Sequence, residues 1–323
     1  MSEKLKIIDL HCDTILGCYI GKNTLRDYPG HISAEKLRAG GSLAQCFALF
    51  IPTHDSSIRH LGEERDPWDV YQDLHRCYRE NLAACADIIR PALCPADIRK
   101  NRDEGYISSI LTVEDGAEIN GRMERLEQLF HDGVRMIALT WNYENCFGFP
   151  NSPDHEEHTK RGLRPFGFEA VERMNDLGII VDVSHLSEAG FYDVAQHSRK
   201  PFAASHSCCR ALADHPRNLT DDQLRTIGNT GSIVGINFYD LFLGAKPGYT
   251  DIDSIIRHME YAKNKAGIES VAIGSDFDGI ESTLEFGDYS GFHQLLAAME
   301  KSFTEEEIDL ICRKNFLRVF SAV

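Results

Sequence analysis

The chain has 323 residues, enough for two average domains or for one large α/β barrel. Lys and Arg number 34 against 50 Asp and Glu, and the net charge of −16 is spread along the chain, which excludes a nucleic-acid binder or a polybasic membrane-surface protein because both need clustered cations to meet phosphate. A composition of 42% hydrophobic and 26% charged residues supports a packed core and excludes global disorder.

No segment approaches the roughly 18 to 20 apolar residues that span a bilayer, so no membrane partner is expected. The N-terminus runs directly into a strand-like segment, which predicts no export signal. Ten cysteines occur without a C-x-x-C pair and mostly within apolar segments, as free thiols of a reducing compartment do. A cytoplasmic, disulfide-free protein is the expectation.

Eight short apolar runs follow in chain order, at 6–10, 44–51, 108–113, 136–140, 179–183, 201–204, 232–237 and 271–273. Most are near-continuous rather than alternating, the pattern of strands buried on both faces of a parallel sheet. Helical periodicity marks 66–86, 122–131, 167–177, 187–197, 220–226 and 252–266. No linker or low-complexity segment divides the chain. The pattern predicts one (β/α)8 TIM barrel over 1–323, with long loops.

Such barrels carry their chemistry at the C-terminal ends of the strands. The residues there are His11 and Asp13 after the first run, Glu114 after the third, Trp141 and Asn142 after the fourth, and His185 after the fifth. His206 follows the sixth, Asn237 and Tyr239 the seventh, Asp276 and Asp278 the eighth. His11 and Asp13, at i and i+2 of an extended chain, lie about 6 to 7 Å apart on one side and can chelate a single ion. Glu114 has two oxygens and can bridge two cations. His185 and His206, from adjacent strands, can hold a second ion between them. A water between two such ions ionises near neutral pH, and Asp276 is placed to carry its proton. Asp278 reads as a turn residue supported by Gly279.

Seven segments carry a resemblance to a known family: His11-Cys12-Asp13-Thr14, Glu114-Asp115-Gly116, Gly162-Leu163-Arg164-Pro165-Phe166-Gly167, Val181-Asp182-Val183-Ser184-His185, Ser205-His206-Ser207, Arg217-Asn218 and Gly274-Ser275-Asp276-Phe277-Asp278-Gly279. In order and spacing they resemble the renal or membrane dipeptidases, peptidase family M19. The resemblance implies an amidohydrolase-type TIM barrel with two zinc ions that hydrolyses dipeptides, including some with a D-residue in second place, and it suggests a homodimer. It implies that His11 and Asp13 bind one zinc, His185 and His206 the other, and that Glu114 bridges them. Asp276 matches the catalytic acid/base. Arg217 matches the arginine that grips the dipeptide carboxylate, a role suited to a planar, permanently charged fork. Asn142 and Tyr239 are further candidates for substrate contact.

One position departs from that pattern. Mammalian members carry a histidine after the fourth strand, in contact with the scissile carbonyl oxygen, where this chain has Trp141. An indole offers one N–H donor and no charge. The departure keeps two other readings open: a binuclear amidohydrolase acting on a lactam or N-acyl amide, and a catalytically impaired dipeptide-binding homologue. His155-Glu156-Glu157-His158 resembles a metal motif, but it follows Pro150-Asn151-Ser152-Pro153 and reads as a solvated loop. Cys12 points away from its flanking ligands into packing. His31, His54, His60, His75, His131, His197, His215, His258 and His293 lack strand-end positions and read as structural or surface residues. No glycine-rich nucleotide motif is present.

Overall fold

The computed structural model describes residues 6–323. The expectation of no export signal concerns the extreme N-terminus and falls partly on residues 1–5, outside the described residues. Eight parallel strands close into a ring: β1 Ile7–Asp9, β2 Ser42–Phe50, β3 Ile107–Glu114, β4 Val134–Ala138, β5 Ile180–Asp182, β6 Ala203–Ser207, β7 Ile233–Ile236 and β8 Val271–Ile273. Each pairs with its sequence neighbours, and β1 joins β8 through Asp9 opposite Ile273, which closes the barrel. At least one helix covers every crossover, so both strand faces are buried; all nine residues of β2 and all eight of β3 are. That is why the strands read as continuous apolar runs.

The predicted helices form within a few residues of their expected bounds. The last, Ile252–Ala266, has an N-cap in which the Asp251 carboxylate accepts from the Ser254 N–H. A capping box between Thr220 and Gln223 starts Asp221–Asn229. Several features differ from expectation. The sixth strand is Ala203–Ser207 rather than 201–204, because the polar Ser205, His206 and Ser207 stay extended with their polar groups satisfied inside the barrel. Residues 155–160 are a short helix, His155–Lys160, capped by Asp154. Its His158 is buried beside the Arg210 guanidinium, with Nδ1 accepting from the Ser152 N–H, so this segment is not a solvated loop. The strand Ile89–Pro91, added outside β3, and the small pair Tyr249–Thr250 with Thr283–Leu284 were not expected.

The N-terminal end of the barrel is filled by Ile8, Ile110, Met136, Ile180, Ala203, Ile233 and Ala272, which pack against Phe316, Val319 and Phe320 of the C-terminal helix Asn315–Ala322. The Asn315 amide fastens that helix by donating to the Ile268 and Val271 carbonyls, both at 2.8 Å. Among the described residues no helix is long and apolar enough to cross a membrane. Phe316→Ala opens the plugged end of the barrel and is expected to lower stability by about 3 to 5 kcal/mol. Urea unfolding followed by circular dichroism checks this; a loss below about 1 kcal/mol would contradict the plug.

Candidate active site

The strand ends are stitched together before their side chains meet. Beyond β1 the chain runs beside the extension of β8: the Asp276 N–H donates to the His11 carbonyl (3.2 Å) and the Asp13 N–H to the Phe277 carbonyl (2.9 Å). This places His11 Nε2 3.6 Å from Asp13 Oδ2 and 3.9 Å from Asp276 Oδ1. Glu114, the last residue of β3, divides its oxygens between two groups. Oε2 lies 3.4 Å from His11 Nε2, and Oε1 lies 2.9 Å from His185 Nε2 and 3.4 Å from His206 Nε2. The two Nε2 atoms of His185 and His206 are 3.0 Å apart.

Two sets of donor atoms lie within 4.8 Å of one another: His11, Glu114 and His206, and His11, Asp13 and Asp276. With His185 joined to them through Glu114 Oε1 and His206 Nε2, all six expected residues meet in one cluster. The backbone is bent to aim them. His185, Asp276, Asp278 and Asp115 have φ between 61° and 70°, left-handed conformations that cost a non-glycine residue about 1 kcal/mol or more and gather at functional sites.

The cluster fits a cation. His11 Nε2 and Asp13 Oδ1 are buried with no hydrogen-bond partner. Buried polar atoms normally find one. Gly279 closes over the same point, where an added Cβ would collide with Asp13 Oδ2 and Asp276 Oδ1, so only glycine leaves that space open. The charges agree. Burial and the neighbouring Glu114 push the Asp13 carboxyl up to about 8, and the same two causes, opposed by His11, push Asp276 up to about 6. Burial works against a charged His11, yet Glu114 and Asp13 hold its imidazole well above the usual range. Burial and Arg217 take His185 down to about 4, and burial with His11 takes His206 well down, leaving both neutral as ligands must be. The surroundings thus favour the protonated forms of His11 and Asp13 and the neutral forms of His185 and His206.

The remaining candidates ring the mouth. Asp276 is held by Asn237, whose Nδ2 donates to Oδ2 at 2.8 Å while its own Oδ1 accepts from the Tyr239 N–H at 2.7 Å. Asn142 Oδ1 lies 3.2 Å from His185 Nδ1, so it steadies a histidine as well as lining the cavity. Asp278 accepts from the Thr14 hydroxyl and the His31 N–H, both at 2.5 Å, as a turn residue. Cys12 packs outward, its thiol on the Cys46 carbonyl. Arg217 is 6% exposed; Nη2 donates to the His206 carbonyl (3.1 Å), Nη1 faces Ser207 Oγ (3.4 Å) and Nε has no partner. Among the described residues no carboxylate pairs with it.

A cavity of about 730 Å³ opens above the cluster, lined by Asp13, Glu114, Trp141, Asn142, His185, Arg217, Tyr239 and Asp276. Phe50, His60, His215 and Phe242 line it too and were not anticipated; two of them are histidines read from sequence as structural or surface residues. Trp141 packs on Phe50 with ring centres 4.9 Å apart, and His215 lies 4.8 Å from Phe242 beside Arg217. A second cavity of about 720 Å³, along helix Pro67–Ala84, contains none of the converging groups.

A parallel barrel with imidazoles and carboxylates converging at its C-terminal mouth is the architecture of a metal-dependent hydrolase. The family model for membrane dipeptidase, peptidase family M19, matches residues 1–323, and the chain belongs to that family of metallodipeptidases. A Klebsiella pneumoniae relative, described as an uncharacterized protein in the pqqA 5′ region, is 35% identical over 268 residues, 80% of this chain and 97% of its own length. A Rhodobacter sphaeroides metallopeptidase, solved with a phosphinate mimic of L-Ala-D-Ala, superposes with a TM-score of 0.89 at 25% identity over 98% of this chain and 99% of that one. Dipeptidase AC, an M19 metallopeptidase, gives 0.90 at 25% identity over 99% of both chains.

Two outcomes are expected. Gly279→Ala, by forcing Asp13 and Asp276 apart, lowers metal content below that of wild type, read by elemental analysis; unchanged loading would contradict the cradle. Metal uptake by the stripped protein releases protons, and affinity falls as pH drops from about 8 to about 6, because Asp13 and then Asp276 become protonated. Calorimetry in buffers of different ionisation enthalpy measures this; pH-independent affinity across that range would contradict it.

Proposed function

We propose that this protein is a dipeptidase using two divalent ions, zinc the expected one, to hydrolyse L-Xaa-L-Xaa and L-Xaa-D-Xaa dipeptides with a free C-terminal carboxylate. The observation that carries the reading is Arg217: a buried guanidinium that makes no close ion pair among the described residues, at the wall of a cavity whose floor is the carboxylate and imidazole cluster. A buried charge normally demands a partner, and a substrate carboxylate supplies one as a planar fork. The dipeptide mimic held by the Rhodobacter sphaeroides relative supports the same substrate class.

In this proposal His11 and Asp13 hold one ion, His185 and His206 the other, and Glu114 lies between them. Ions bound there supply Lewis acidity and an activated water. Asp276, held by Asn237 at one oxygen, keeps Oδ1 free toward the reacting centre, where it can take up and return a proton. Arg217 and Tyr239 position the carboxylate end. Phe50, His60 and Trp141 form the aromatic wall that limits water, and Trp141 offers its single N–H where a histidine would stand in mammalian members. The cavity volume lies in the range of small-molecule sites and accommodates a dipeptide.

The test compares free and C-amidated dipeptides. Wild type is expected to lose activity on chelation, to regain it with zinc, and to prefer the free acid. Arg217→Met is expected to lose about 30-fold or more in kcat/KM on free dipeptides, the equivalent of about 2 kcal/mol or more for an unpaired buried charge, and to lose the preference. Amidated dipeptides, lactams or N-acyl amides turned over faster than free dipeptides by wild type would contradict the reading.

A further inference from the structure

The ligand histidines carry a second set of contacts that the proposed chemistry does not use. Ser205 Oγ lies 2.7 Å from His206 Nδ1 and makes a short hydrogen bond to Asp182 Oδ2. All three residues are almost fully buried, with Ser205 and His206 at 0% exposure and Asp182 at 1%. Asp182 is a terminal acceptor: the Ser184 N–H (2.9 Å) and the Ser205 N–H (3.0 Å) donate to Oδ1, and the Ser205 hydroxyl converges on Oδ2. A hydroxyl has a single proton. Given to Asp182, it leaves Ser205 Oγ able only to accept from His206, so the His206 proton must sit on Nδ1.

We infer that Ser205, anchored by Asp182, is a positioning residue that locks His206 in the Nδ1–H form and so turns the Nε2 lone pair toward Glu114 and His185. The consequence reaches the whole second half of the site. Asn142 Oδ1 accepts from His185 Nδ1 in the same way at 3.2 Å. Both histidines then present bare Nε2 atoms 3.0 Å apart, with Glu114 Oε1 at 2.9 and 3.4 Å. Three acceptors face one another with no proton between them. That arrangement is unfavourable unless a cation joins it. Metal-bound histidines characteristically donate their other ring N–H to an outer group, and disturbing that group typically costs 10- to 100-fold in affinity.

The opposite side of the barrel holds a natural control. Asp9 of β1 accepts from the Ser275 N–H (2.9 Å) and the Ser275 hydroxyl (2.6 Å), the same clamp on the strand-end serine before Asp276. There the serine oxygen meets backbone groups, the His11 carbonyl and the Phe277 N–H, and no ring nitrogen. The two clamps share the strand-joining role. Only the Ser205 clamp reaches an imidazole.

The affinity part of this inference rests on the metal-centre reading; the tautomer part does not. Long-range proton–nitrogen NMR of the metal-free protein at mildly alkaline pH reads the His206 tautomer, identified by the signal missing from His206→Gln. Wild type and Ser275→Ala are expected to show Nδ1–H. Ser205→Ala is expected to show a tautomer mixture and a 10- to 100-fold weaker zinc affinity at one of two sites by chelator competition. Asp182→Asn, a milder change, is expected to loosen the tautomer in the same direction. An Nε2–H His206 in wild type, or a Ser205→Ala protein with tautomer and affinity unchanged, would overturn the inference. A wild type that shows Nδ1–H but binds no zinc would uphold the lock and overturn the metal reading instead.

Discussion

Three carboxylates are brought to the mouth of one barrel, within about 4 Å of a single imidazole, and out of water. Carboxylates gathered around one imidazole repel one another when charged, and burial raises the cost. Everything else at the strand ends follows from keeping Asp13, Glu114 and Asp276 there regardless. The ring of parallel strands supplies rigidity. Left-handed turns at Asp115, His185 and Asp276 aim the chain, Asn237 holds one carboxylate, and Gly279 leaves the space that a cation needs.

Positive charge is the natural complement, and the protein supplies too little of it. The His11 imidazole is pulled strongly toward its charged form by Glu114 and Asp13, while His185 and His206 are pushed toward neutrality. The buried Arg217 guanidinium stands at the cavity wall rather than inside the cluster and, among the described residues, makes no close ion pair with a carboxylate. The site is therefore short of cation at its floor and short of anion at its side. Divalent metal below and a substrate carboxylate beside it satisfy both deficits together, and this pairing links the proposed metal centre to the proposed substrate.

The barrel was readable because burial on both strand faces writes continuous apolar runs, and the residue after each run could be read directly. His11, Asp13, Glu114, His185 and Asp276, which converge in the structure, were singled out that way. His206 was found too, although it lies inside β6, whose polar residues hid the strand end. What escaped was contributed by loops. Phe50 ends a strand but looks like ordinary core, and His60, His215 and Phe242 lie in loops or helices with no periodic signal pointing inward. Asn237 was seen at a strand end, but nothing in its type told that its amide would grip Asp276. His158 was misread because a Pro-rich approach suggested solvent, while Asp154 starts a helix that buries it.

The most direct test is the metal stoichiometry of the folded, zinc-reconstituted protein, by elemental analysis against protein concentration. Two ions per chain in wild type, falling when Glu114→Gln removes one charged oxygen pair from between the two halves of the site, is the predicted result. A folded wild type that retains no metal after reconstitution would contradict the account at its centre.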